Sequence, residues 1–249
     1  MLVKACLNGS RARGDHPALP LSAAELAADA RRAVDAGAAA LHVHPRGPDG
    51  RQTLDPGACD ATVLAIRRAC PGVPVGLSTG VWIEADEARR IGLIERWTER
   101  PNFVSVNFSE PGATRLCELC LRLGIGIEAG VWTTADATAL ADSGHARHIV
   151  RVLIEPQDRE PAPAEATAAR ITGVLDHAGI DAPRVYHGHG RATWRVIESA
   201  LDDGWDVRVG LEDTLERPDG TPTSGNAELV AMVVRMAGDR GLRPARPHI

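Results

Sequence analysis

The 249-residue chain has no excess of basic charge, no long apolar run and no disulfide framework. Lys plus Arg number 28 against 33 Asp plus Glu, a formal net charge of −5. A nucleic-acid binder would carry a basic stripe, so nucleic acid is not an expected partner. No stretch approaches the ~20 apolar residues that span a bilayer, and no membrane association is expected. Met1-Leu2-Val3-Lys4-Ala5-Cys6 passes into a polar turn without the apolar core of a secretory leader, so the expected location is the cytoplasm. The cysteines number five, an odd count that fits reduced thiols better than paired ones. Cys117 and Cys120 form a C-x-x-C, but no second pair accompanies it. They lie in a helical stretch and read as small apolar packing residues. The first strand is not followed by a G-x-G-x-x-G, which argues against a doubly wound dinucleotide fold. No linker or low-complexity tract divides residues 1–249, so one domain is expected.

What the chain does have is alternation. Strands are expected at 3–7, around His42 and His44, and at 73–77, 103–108, 126–132, 148–154, 184–190 and 206–213. Between them lie stretches of helical periodicity. The first helix opens on Ser22-Ala23-Ala24-Glu25, a capping box, and closes before Gly37. The others are expected at 60–69, 84–97, 116–123, 135–141, 164–178, 193–201 and 226–236. Eight strand–helix units at a period of roughly 30 residues is the arithmetic of a single (β/α)8 TIM barrel.

In such a barrel the chemistry sits at the C-terminal ends of the strands. Ala40-Leu41-His42-Val43-His44-Pro45-Arg46 ends the second strand with two histidines one residue apart, and alternate strand residues face the same way. Polar residues close the other strands: Ser78 the third, Asn107 the fourth, Glu155 the sixth and Glu212-Asp213 the eighth, while the fifth carries Glu128. Closure of the barrel brings strand eight beside strand one, so Glu212 can approach His42 and His44. Two imidazoles and one carboxylate leave a zinc-type ion with an open position, the pattern of a catalytic site. Arg208 and Glu212 share a face of the expected strand, and Asp213 lies just past the alternation.

These residues resemble a known family. His42-Val43-His44-Pro45-Arg46, Gly76-Leu77-Ser78-Thr79-Gly80, Ser105-Val106-Asn107-Phe108 and Arg208-Val209-Gly210-Leu211-Glu212-Asp213 look like the motifs of the β-keto acid cleavage enzymes, from the first strand to the last helix. The resemblance implies Zn2+ on His42, His44 and Glu212, with Ser78, Arg208 and Asp213 in catalytic roles. It implies an acyl exchange: a β-keto acid and acetyl-CoA give acetoacetate and a new acyl-CoA. Asp213, held by Arg208, would be the base, and Ser78 would orient the proton or a carbonyl oxygen. Arg11, Asn107 and Glu128 are the expected substrate contacts.

The loop Asn8-Gly9-Ser10-Arg11 departs from the lysine-fermentation members. They carry an acidic residue there to meet an ammonium group, whereas Arg11 favours a neutral or anionic tail. Three alternatives stand beside this reading. His187-Gly188-His189, a second H-x-H, could be the metal pair instead, or line the pocket or contact CoA. The barrel could be a metal-dependent hydrolase, or hold its histidines as plain filling. A homo-oligomer is expected, of a size the sequence does not give.

Overall fold

The eight strands are short and buried on both faces because each is covered twice, by helices outside and by side chains inside. In the computed structural model, which describes residues 1–245, they are β1 (Val3–Cys6), β2 (Ala40–Val43), β3 (Val75–Ser78), β4 (Phe103–Asn107), β5 (Gly126–Val131), β6 (Arg151–Ile154), β7 (Arg184–Tyr186) and β8 (Asp206–Val209). All pair in parallel, in chain order, and β8 pairs with β1 through Val3↔Val207 and Lys4↔Arg208 to close the ring. The protein is a closed (β/α)8 barrel.

Eight helices surround it: α1 (Ala23–Asp35), α2 (Pro56–Ala69), α3 (Glu87–Glu95), α4 (Ala113–Leu123), α5 (Thr134–Asp142), α6 (Pro161–His177), α7 (Thr193–Asp202) and α8 (Asn226–Asp239). The expected capping box is present on α1: Ser22 accepts from the Glu25 amide, and Glu25 accepts from the Ser22 amide. Helix α2 begins four residues earlier than periodicity suggested. Asp55 caps it and Pro56 stands at its first position, where a missing N–H costs nothing. Helix α3 is shorter than expected because Asp86 caps it late. Cys117 and Cys120 pack inward on α4, and burial pushes each thiol up to about 12, as befits inert packing residues.

Inside the ring, Phe103 fills the space beside Gly76, its register partner on β3. A Cβ at Gly76 would sit 1.9 Å from the Phe103 ring, so only glycine fits. Lys4 and Arg151 lie over the same ring and clamp Glu128 from two sides, at 2.6 and 3.0 Å.

Two strands end earlier than their patterns implied, and the site depends on both. Strand β7 stops at Tyr186, which leaves His187-Gly188-His189 on the loop beyond it. Strand β8 stops at Val209, where the chain folds into a tight turn in which the Asp213 and Thr214 amides both donate to the Gly210 carbonyl.

Candidate active site

The turn after β8 converts a strand pattern into a cluster. Instead of alternating, Glu212 and Asp213 both come round to Arg208. The guanidinium donates to Glu212 Oε1 at 2.6 Å and to Asp213 Oδ1 at 2.7 Å, and its Nε reaches both oxygens of Asp213 at 3.2 and 3.3 Å. All three residues sit at the mouth, with Arg208 and Asp213 buried. Burial, the largest influence, would raise the Asp213 pKa, but the Arg208 charge and the neighbouring His187 together more than offset it, and the carboxyl lies below its ordinary range. Asp213 is thus ionised and able to accept a proton, though a weaker base for its pairing.

His42 and His44 project together from β2. Their Nε2 atoms are 3.1 Å apart and the rings meet edge to face at 82°. Glu212 completes the set, with Oε1 3.4 Å from His44 Nε2 and Oε2 3.8 Å from His42 Nε2. A tetrahedral zinc site with bonds of about 2.0–2.1 Å has ligand atoms roughly 3.3 Å apart, close to this spacing. Two further observations fit a cation here. Glu212 Oε2 is buried without a hydrogen-bond partner. Burial holds His42 well below the ordinary histidine range, so its ring is in the neutral, ligating form.

Sequence reasoning missed the residues that aim this set. Gln52 Oε1 pairs with His44 Nδ1 and also accepts from Trp82 Nε1, leaving the His44 Nε2 lone pair free for the cation. Asn8 brackets the backbone of His44, donating to its carbonyl and accepting from its amide, both at 2.9 Å. Arg46 donates to the Gly9 and Arg11 carbonyls and so fixes the β1 loop. Asn8 carried a sequence signal as a polar residue closing a strand, and Arg46 as the last residue of the motif that ends β2. Gln52 lies in a loop and shows no pattern.

A cavity of about 470 Å3 opens over the cluster, walled by His44, Glu212 and Asp213 on one side and Glu155 and His189 on the other, with Arg11 at its edge. Arg11 donates through Nε to the Leu211 carbonyl, which holds the side chain against the mouth. Ser78 and Asn107 end β3 and β4 as expected and are buried, but neither is among the residues lining the cavity. The Asn107 amide donates to Glu110 at 2.7 Å. Glu128 requires a correction. It is fully buried inside the barrel, and both its oxygens are taken by Lys4 and Arg151, so the expected substrate contact is not made. His187 and His189 stand with Glu155 on the far wall, 3.3 and 3.0 Å from its carboxylate.

A β-keto acid cleavage enzyme family model matches residues 1–249. The chain belongs to that family. It is 26% identical over 267 residues to the 3-keto-5-aminohexanoate cleavage enzyme of Fusobacterium nucleatum, covering 99% of this chain and 94% of that one. It is 25% identical over 260 residues to the 3-oxoadipate:acetyl-CoA acetyltransferase of Cupriavidus necator, covering 96% and 89%. Among solved structures, ObcA in binary complex with oxaloacetate superposes with a TM-score of 0.75 at 18% identity, over 93% of this chain and 66% of that chain. The 3-dehydroquinate dehydratase of Aquifex aeolicus superposes with a TM-score of 0.60 at 10% identity, covering 96% and 98%. These structural likenesses concern the barrel. The protein is an enzyme of the β-keto acid cleavage kind. Among the described residues, no helix is long and apolar enough to cross a membrane.

Proposed function

We propose that this enzyme exchanges acyl groups between acetyl-CoA and a β-keto acid with a neutral or anionic tail, using Zn2+ held by His42, His44 and Glu212. The observation that carries the reading is the convergence of that N2O donor set with an ionised Asp213, locked on Arg208, at one cavity of a family member. The relatives named for 3-keto-5-aminohexanoate and for 3-oxoadipate with acetyl-CoA support the reaction type. Zinc, when bound, supplies a Lewis acid for the keto and carboxylate oxygens.

The chain's own residues supply the rest. Asp213 accepts the proton from the carbon between the carbonyls, and Arg208 keeps its carboxylate in place while that carbon becomes nucleophilic. The carbanion attacks the acetyl thioester carbonyl, the CoA thiolate transfers to the original keto carbonyl, and the bond from that carbonyl to the attacking carbon breaks. Acetoacetate and a new acyl-CoA leave, and the proton returns from Asp213. Ser78, buried at the end of β3 and outside the cavity lining, takes from the family resemblance alone the role of orienting the reacting groups. Arg11 recognises the tail: a guanidinium offers a carboxylate two parallel hydrogen bonds, which an ammonium group cannot use.

The test is a panel of β-keto acids with acetyl-CoA, reading acetoacetate formation in wild type and Arg11→Ala. A dicarboxylic substrate should outperform 3-keto-5-aminohexanoate. Loss of one charge-assisted contact of ~1.5–3 kcal/mol should cost that substrate roughly 10–150-fold in kcat/KM. If the amine substrate is preferred, the assignment of Arg11 is wrong. Turnover independent of acetyl-CoA would instead indicate a hydrolase.

A further inference from the structure

The far wall of the cavity repeats the near one. Glu155 follows β6 directly, and His187 and His189 follow β7 one residue apart. Their rings meet at 82° with centroids 5.3 Å apart, against 82° and 5.0 Å for His42 and His44. His187 Nε2 lies 3.3 Å from Glu155 Oε2, and His189 Nε2 lies 3.0 Å from Glu155 Oε1. One ligand atom from each of the three falls within 4.8 Å of the other two. The donor set is again two imidazoles and one carboxylate, and it is partly open toward the cavity.

His187 decides what the cluster is for. Its side chain is fully buried, yet neither ring nitrogen has a hydrogen-bond partner. Nδ1 faces Asp213 Oδ1 from 3.5 Å and Nε2 faces Glu155, both off hydrogen-bonding alignment. A buried imidazole is ordinarily bonded. A proton shared between His189 and Glu155 accounts for that pair and for the 3.4 Å contacts of Gln157 Nε2 with both, but it leaves His187 unsatisfied. A cation in the pocket accounts for His187 Nε2 together with His189 and Glu155, and leaves His187 Nδ1 facing the Asp213 carboxylate. The nearby Arg208 charge is already matched by Glu212 and Asp213, so Glu155 brings a negative charge that Arg208 does not neutralise.

We propose that Glu155, His187 and His189 bind a second divalent cation of zinc type, facing the His42–His44–Glu212 set across Asp213. Nitrogen with one carboxylate oxygen is a donor set suited to zinc and poorly suited to magnesium or calcium, which prefer oxygen throughout. The ion would present a second electropositive centre to oxygen atoms of a ligand in the same cavity, β2 and β6 being four strands apart in a ring of eight. The proposal stands whether or not the acyl exchange is correct.

The experiment is metal stoichiometry on chelator-stripped protein titrated with Zn2+ alone, by elemental analysis and calorimetry. Wild type should take two equivalents, Glu155→Gln/His189→Ala one, and His42→Ala/His44→Ala one. The single variant His189→Ala, at a partly exposed position, covers the case in which the double variant does not fold, and should also drop to one. Uptake of one equivalent or none by wild type overturns the proposal. So does uptake of two equivalents by both Glu155→Gln/His189→Ala and His189→Ala. Acetoacetate formation does not enter the readout, so failure of the acyl exchange would leave this result intact.

Discussion

Asp213 illustrates how much chemistry a single position draws from its neighbours. An aspartate buried in a protein interior would ordinarily be pushed toward the neutral acid. Here the Arg208 fork and the neighbouring His187 together hold it as the anion. The pairing positions the carboxylate and tempers its basicity together. We expect Asp213→Asn to keep its metal content while turnover falls by ~10²–10⁴, the usual worth of general base catalysis. Elemental analysis alongside a steady-state assay separates the two effects. Near-normal turnover in the variant would place the base on another group. Asp213 was legible in the sequence as the residue after Glu212, and its pairing with Arg208 was expected from the family resemblance alone. Asp213 lay just past the expected alternation, which left its direction open, and the turn at Gly210 brings it onto Arg208.

At the scale of the element, the loop after β1 is what closes the metal set. Gly9 has a φ of 53° and lies so near Glu212 that a Cβ there would stand 2.3 Å from Glu212 Cγ. Only glycine takes that backbone region without strain while leaving room for the ligand. Gly9→Ala should therefore displace Glu212 from His42 and His44 and weaken metal retention, seen as loss of zinc on dialysis against a mild chelator. Wild-type retention would show that the loop yields more easily than its contacts with Arg46 and Asn8 imply. The sequence marked Asn8-Gly9-Ser10 as a turn through composition alone. That the turn presses on a residue about two hundred positions away could not be read from either segment. Strand ends misled for a related reason: residues 148–150, 187–190 and 210–213 adjoin apolar strand runs and read as their continuation, yet pairing stops where neighbouring strands stop offering partners.

For the whole molecule, the interior of the barrel is held by charge as well as by apolar packing. Lys4 on β1, Glu128 on β5 and Arg151 on β6 tie three strands around Phe103. Removing one member leaves buried charge unmatched, so Glu128→Gln should lower unfolding free energy by about 3–5 kcal/mol in denaturant titration, with the metal site intact. A variant of native stability that has lost turnover would return Glu128 to the chemistry, where sequence position alone had put it. The sequence by itself determined the count of strand–helix units, the apolar faces that close them into a barrel, and the histidine pair on β2, because those depend on local periodicity. Tertiary structure decided which polar strand-end residues share a cavity. It turned Glu212 and Asp213 onto Arg208, set Gln52 behind His44, buried Glu128 between two cations and gathered Glu155 with His187 and His189. Each of these depends on where a strand ends and which chain segment packs beside it, and barrel closure sets that between residues far apart in sequence.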